Sequence, residues 1–87
     1  MFEIWRDTTS GARYLVALHD TQVIAVAGPL APREDPARVL ALHSNQNHDP
    51  WALLDIQKYP DRYRREYTTN RDGRVVPVPD AEAKLPR

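Results

Sequence analysis

The chain has no cysteine, which excludes a disulfide framework and a thiolate metal site. It has three glycines, Gly11, Gly28 and Gly73. They fall in separate turns, so none can build the glycine-rich loop that cradles a phosphate. Twelve lysines and arginines balance twelve acids, leaving no net field to draw the chain to nucleic acid or an anionic membrane. No apolar run approaches the roughly 18 residues of a membrane span. Met1 to Asp7 carries charge where a secretion signal needs apolar residues, and the expectation is a cytoplasmic protein with no membrane contact. Aromatics are sparse: one Phe, two Trp and four Tyr.

What is present is short. A chain of 87 residues buries only roughly 60% of the surface its unfolded form exposes, enough for one modest core and little for a deep, water-excluding active site. The expected unit is a single small α+β domain over 1–76, followed by a disordered tail at 77–87. That tail has one bulky aliphatic residue after Asp80, too little apolar surface to offset its ordering entropy.

The centre of the chain is the stretch from Arg13 to Pro29. Tyr14, Val16 and Leu18 alternate with Leu15, Ala17 and His19, the period of a strand. Val23 to Ala27 is apolar throughout, as suits a strand contacted on both faces. Asp20 and Thr21 lack the glycine of a tight primed turn, so the link is expected to be a loop of three to five residues. Phe2, Ile4 and Arg6 alternate with Glu3, Trp5 and Asp7 ahead of a turn-forming run, Asp7 to Gly11. These features predict a three-stranded antiparallel meander over about 2–6, 13–19 and 23–27, because links this short cannot make parallel crossovers.

Asp-Pro occurs twice, at Asp35-Pro36 and Asp49-Pro50. Aspartate is a good N-cap and proline fits the first helical position, and apolar residues follow both at equal offsets (Val39, Leu40, Leu42 and Leu53, Leu54, Ile56). Short helices over about 36–43 and 50–59 are therefore predicted, with a strand at 38–43 as the alternative. Ser44 to His48 reads as a polar loop. Pro60 interrupts the second helix and is predicted to start a further helical piece over about 60–67. A short strand or hairpin is possible at 68–76, where Arg71 to Arg74 has turn chemistry and Val75-Val76 β-propensity.

Four kinds of site follow from these residues. Lys58 to Arg74 is basic and aromatic; if helical, Tyr59, Tyr63 and Tyr67 form a stripe beside Lys58, Arg62 and Arg65, able to stack on bases and meet phosphates. The competing reading is a sheet-covering tyrosine stripe with a solvated arginine face, with Asp61–Arg65 and Arg62–Glu66 pairs at helical spacing. A local excess of three positive charges is small for a nucleic-acid binder. His43, His48 and Asp49 are acceptable metal ligands, but their spacing matches no established motif and Asp49 is wanted as an N-cap, so no metal or other cofactor is expected. The acids Glu3, Asp7, Asp20, Glu34, Asp35, Asp49 and Asp55 are scattered, and no catalytic motif accompanies them. Finally, a three-stranded sheet under one or two short helices leaves a face and an edge uncovered. On that ground the favoured function is a non-catalytic interaction module, binding a protein partner or a second copy through a surface drawn from Trp5, Tyr14, Trp51, Tyr59, Arg62, Tyr63, Arg65 and Tyr67. A nucleic-acid surface on 58–74 is the alternative, and a small enzyme or accessory subunit the third.

Overall fold

The two Asp-Pro steps start the two helices. In a computed structural model describing residues 1–43 and 46–85, Asp35 accepts a hydrogen bond from the Ala37 amide at 3.1 Å ahead of α1 (Pro36–Leu42). Asp49 accepts one from Ala52 at 3.0 Å ahead of α2 (Pro50–Lys58). Each cap satisfies an amide the helix leaves unpaired, and each proline occupies a position with no amide to lose. Residues 38–42 are helical, so the strand alternative for that stretch is not adopted. His43 closes α1 in the left-handed conformation, its ring 4.9 Å from that of Phe2. Of the polar loop at 44–48, residues 44 and 45 lie outside the described residues.

The predicted meander is present as β1 (Phe2–Asp7), β2 (Arg13–His19) and β3 (Gln22–Ala27). Pairing is Trp5 with Tyr14 and Val16 with Val26. The sheet is larger than three strands. β4 (Tyr63–Thr69) pairs antiparallel with the free side of β1, and β5 (Val75–Pro77) pairs with β4, giving the order β3-β2-β1-β4-β5. The helical piece expected over 60–67 is therefore corrected: Pro60–Arg62 make one 3-10 turn, and Tyr63 onward is strand. A local helix there would have left the second edge of β1 unpaired; tertiary pairing overrides a weak local preference.

The link between β2 and β3 is also shorter than expected. Two residues close it, Asp20 at φ 49° and Thr21 at φ 73°, with His19 paired to Gln22. This is the double positive-φ geometry of a primed turn, made without glycine. Aspartate tolerates it, but a β-branched threonine is strained there. The register then shifts between Ala17 and Leu18, and Ile24 is 58% exposed. Full burial of the second strand is thus corrected: β3 is an edge strand whose well-buried apolar residue is Val26.

Both faces of the sheet are covered. Trp5, Val16, Val26 and Tyr63 pack under Ala52 and Ile56 of α2, while Ile4 and Leu15 pack under Leu30 and under Val39 and Leu40 of α1. That is why Ile4 and Trp5, adjacent on β1 and pointing to opposite faces, are both buried. The edges are covered in part as well. Asn47 to Asp49 runs along β3: the Gly28 amide donates to the Asn47 carbonyl, and Asp49 donates to that of Val26. Beyond β5, the chain returns along β4, where the Arg65 amide donates to the Ala83 carbonyl at 2.9 Å and Val78 to Glu66. The disordered tail expected from residue 77 is not what is found up to Leu85. Val78 and Ala83 are buried and Leu85 packs on the core, because β4 offers an edge that the tail's own composition does not reveal. Residues 86–87 lie outside the described set. The expectation of an uncovered sheet face, and the argument for association drawn from it, are corrected accordingly.

Candidate functional site

Side chains alternate along β1, which sets Glu3, Trp5 and Asp7 on the face that α2 covers. Glu3 is 1% exposed. Its Oε1 accepts from the Trp5 indole at 2.9 Å and from Arg65 Nε at 2.8 Å, and its Oε2 accepts from Arg65 Nη2 at 2.6 Å. Burial alone would raise the pKa of this carboxyl, but the hydrogen bonds from Arg65, Trp5 and Thr68 outweigh it and hold the pKa below the ordinary value. Asp7 follows the same rule: burial pushes its pKa up, and the Thr9 amide and Arg62 bring it below normal.

Arg62 then links the sheet to α2. Its Nη2 lies 3.2 Å from Asp7 and 2.9 Å from Asp55, and Asp55 also accepts the Tyr63 hydroxyl. Burial, and then that hydrogen bond, push the Tyr63 phenol well above its ordinary pKa, so it remains a neutral donor. Arg13 reaches Glu66 at 2.8 Å on the opposite face, and Arg64 reaches Asp80 at 2.6 Å. Arg62, Arg64 and Arg65 are thus committed to carboxylates contributed by other elements, and Glu66 of β4 to Arg13. The helical i,i+4 pairs expected for Arg65 and Glu66 are replaced by these long-range ones.

The helical tyrosine stripe does not form. Tyr59 caps α2, while Tyr63 and Tyr67 fall on opposite faces of β4 and contact different halves of the core. Of the eight residues nominated for an interaction surface, Trp5 and Tyr63 are buried, and Tyr14, Arg62, Arg65 and Tyr67 are partly buried. Trp51 and Tyr59 are exposed, and the structure brings them together. Trp51 is 79% exposed and Leu54 56%, at i,i+3 on the outer face of α2, and Tyr59, 45% exposed, is the residue that caps the helix. Together with Asp55, Gln57 and Lys58 they line an open concavity of about 600 Å³. The Tyr59 ring has Lys58 Nζ 5.4 Å and the Arg62 guanidinium 5.6 Å from its centroid, so one end of the apolar patch is cationic.

Leu54 is the member of this patch that the sequence reading did not nominate. The signal that finds it is its i,i+3 relation to Trp51, in a helix whose buried positions are Ala52 and Ile56. His43 and His48 do come to one place, lining a cavity of about 270 Å³ with Phe2 and Gln46. Asp49 is occupied as the cap of α2. No group of three potential metal ligands occurs among the described residues, and no helix among them is long and apolar enough to cross a membrane. Compared with models of known protein families, with curated proteins and with solved structures, the chain matches none.

Proposed function

We propose that this chain is a non-catalytic interaction module that docks another protein through the outer face of α2. The observation that carries the reading is Trp51, a large apolar side chain left 79% exposed next to Leu54 and Tyr59. Scattered surface apolar residues need no explanation, but a contiguous patch of indole, isobutyl and phenol side chains is of the kind that marks interfaces. Its apolar area is on the order of 400 Å², taking roughly 150–250 Å² for a whole aromatic side chain. A stable dimer interface needs about 800 Å² per partner, so the patch suits a transient partner better than a permanent second copy. The Lys58 ammonium beside the Tyr59 ring favours a partner with an apolar pocket and an acidic rim.

The commitment of Arg62, Arg64 and Arg65 to carboxylates supports this reading over a nucleic-acid surface, since phosphate binding depends on cations free to displace counterions. The test is affinity isolation from the native cells with the wild-type chain, Trp51→Ala and Leu54→Ser in parallel. Proteins retained by the wild type and lost by both variants are expected. Trp51→Ala should melt as the wild type does, within about 0.5 kcal/mol, because so little of the indole is buried. Identical retained sets would end the proposal, and salt-sensitive binding of labelled oligonucleotides would put the nucleic-acid reading in its place.

A further inference from the structure

The segment Asp80 to Leu85 lies on this domain in the way a bound peptide would. Its backbone extends the sheet at β4, through the Arg65 amide to the Ala83 carbonyl and an antiparallel bridge between Arg64 and Lys84. Arg65 Nη1 donates to the Glu82 carbonyl at 3.2 Å, and Arg64 pairs with Asp80 at 2.6 Å. Ala83 is buried, and Leu85 enters the groove between the sheet and the end of α2. An extended segment with main-chain bonds for affinity and alternate side chains for specificity is the β-augmentation mode of peptide recognition.

The groove is larger than what the described residues fill. A cavity of about 190 Å³ lies between Leu85 and Met1, Glu3, Trp5, Leu18, Thr21 and Arg65. Another of about 420 Å³ runs from Leu85 past Trp5 and Val23 to Ile56 and Pro60. Thr21, on the rim of both, is the strained β-branched residue of the β2–β3 turn, and such strain concentrates where a binding surface is shaped. Glu3 pins Arg65 from below with two charge-assisted bonds, leaving Nη1 aimed at the segment above.

We infer that this groove is a docking site for an extended, acidic, leucine-bearing segment of another protein, and that Asp80 to Leu85 occupies it in cis as a built-in competitor. Charge selects the occupant: Arg65 lines the groove beside Glu82, and Arg64, its neighbour on β4, holds Asp80 at the start of the segment. The hold of the cis segment is light. Its ion pair uses an aspartate 98% exposed at the side chain, and Leu85 is only partly buried. An intramolecular segment competes at an effective concentration in the millimolar range, so weakening it should admit a ligand in trans.

The probe is a peptide capped at both ends with the sequence of residues 80–85, titrated into the full chain and followed by NMR at the Trp5 indole and the Arg64 and Arg65 amides. Leu85→Ala should bind it at least tenfold more tightly than the wild type does. A control peptide with lysine in place of both acids should bind at least tenfold more weakly. Asp80→Lys alters an exposed side chain and leaves the fold intact, and should raise affinity severalfold even if Leu85→Ala disturbs packing. No saturable binding to either variant up to a few millimolar, or equal affinity for both peptides, would overturn the inference. So would a wild-type dimer that the peptide dissociates, which would give the groove to a second copy. Trp51→Ala should bind the peptide as the wild type does, so this site and the α2 face fail separately.

Discussion

Replacing Glu3 by alanine should remove a large part of this domain's stability. That carboxylate accepts two hydrogen bonds from Arg65 at 2.8 and 2.6 Å and one from the Trp5 indole at 2.9 Å, with Thr68 as a further donor, and it is 1% exposed. Removing one partner of a buried pair costs about 3–5 kcal/mol, because the survivor stays desolvated without compensation. Arg65 is 26% exposed and recovers some water, so the lower end applies, about 3 kcal/mol. A domain of this length is stable by roughly 4–13 kcal/mol, which makes the loss severe without always being fatal. Glu3→Gln keeps the shape and one acceptor and should cost about 2 kcal/mol.

The double variant Glu3→Leu with Arg65→Met should be more stable than Glu3→Ala, since no unpaired guanidinium remains, but should stay about 1–3 kcal/mol below wild type because the buried Trp5 indole loses its acceptor. Urea unfolding monitored by tryptophan fluorescence at 25 °C measures all three. A Glu3→Ala cost below about 1 kcal/mol, or a double variant no better than the single, would refute the reasoning.

Acid should expose the same pair. The Glu3 pKa is lower folded than unfolded, so between the two values the unfolded chain binds more protons and stability rises with pH. The contribution is complete above the ordinary value of 4.5 and is lost as pH falls through the folded value. Urea midpoints against pH should show that acid limb in the wild type and a shallower one in the double variant, with Asp7 supplying the remainder. Thr21→Gly should stabilise by about 1 kcal/mol, since glycine accepts φ 73° without the clash a β-branched residue meets; an unchanged or lower melting temperature would contradict a strained turn. Gly28→Ala should cost about 2 kcal/mol or more, because φ is 137° and an added Cβ would sit 3.2 Å from the Tyr14 ring and 3.3 Å from the Arg13 carbonyl. A wild-type urea midpoint for that variant would mean the β3 exit relaxes freely.

Several parts of this architecture were legible in the residues. The alternation in β1 and β2, the apolar return strand, and the Asp-Pro caps are local signals: each depends on neighbours within a turn or a pleat, and each appears where expected. The basic segment after Pro60 was not legible in that way. Tyr63 to Thr69 carries Arg64, Arg65 and Glu66, which look like solvent charges until Glu3, Arg13 and Asp80 are set opposite them, 62, 53 and 16 residues away in the chain. Tyr63, Tyr67, Thr68 and Thr69 were the available β-favouring signal, and the charges masked it.

The candidate site divides along the same line. Trp51 and Tyr59 were chosen by residue type alone, and so were Trp5 and Tyr63. Which pair faces water depended on where α2 settles over the sheet, a matter of long-range packing. Composition and short-range pattern settled that the chain builds strands, two capped helices and no thiolate or glycine-loop chemistry. The tertiary structure decided that each face of the sheet receives one helix, that Arg62, Arg64 and Arg65 pair with carboxylates distant in the sheet or in other elements, and that β4 binds the segment after Pro79. Hydrogen-bond ladders and buried ion pairs take their energy from partners distant in sequence, and a one-dimensional pattern holds no record of who those partners are.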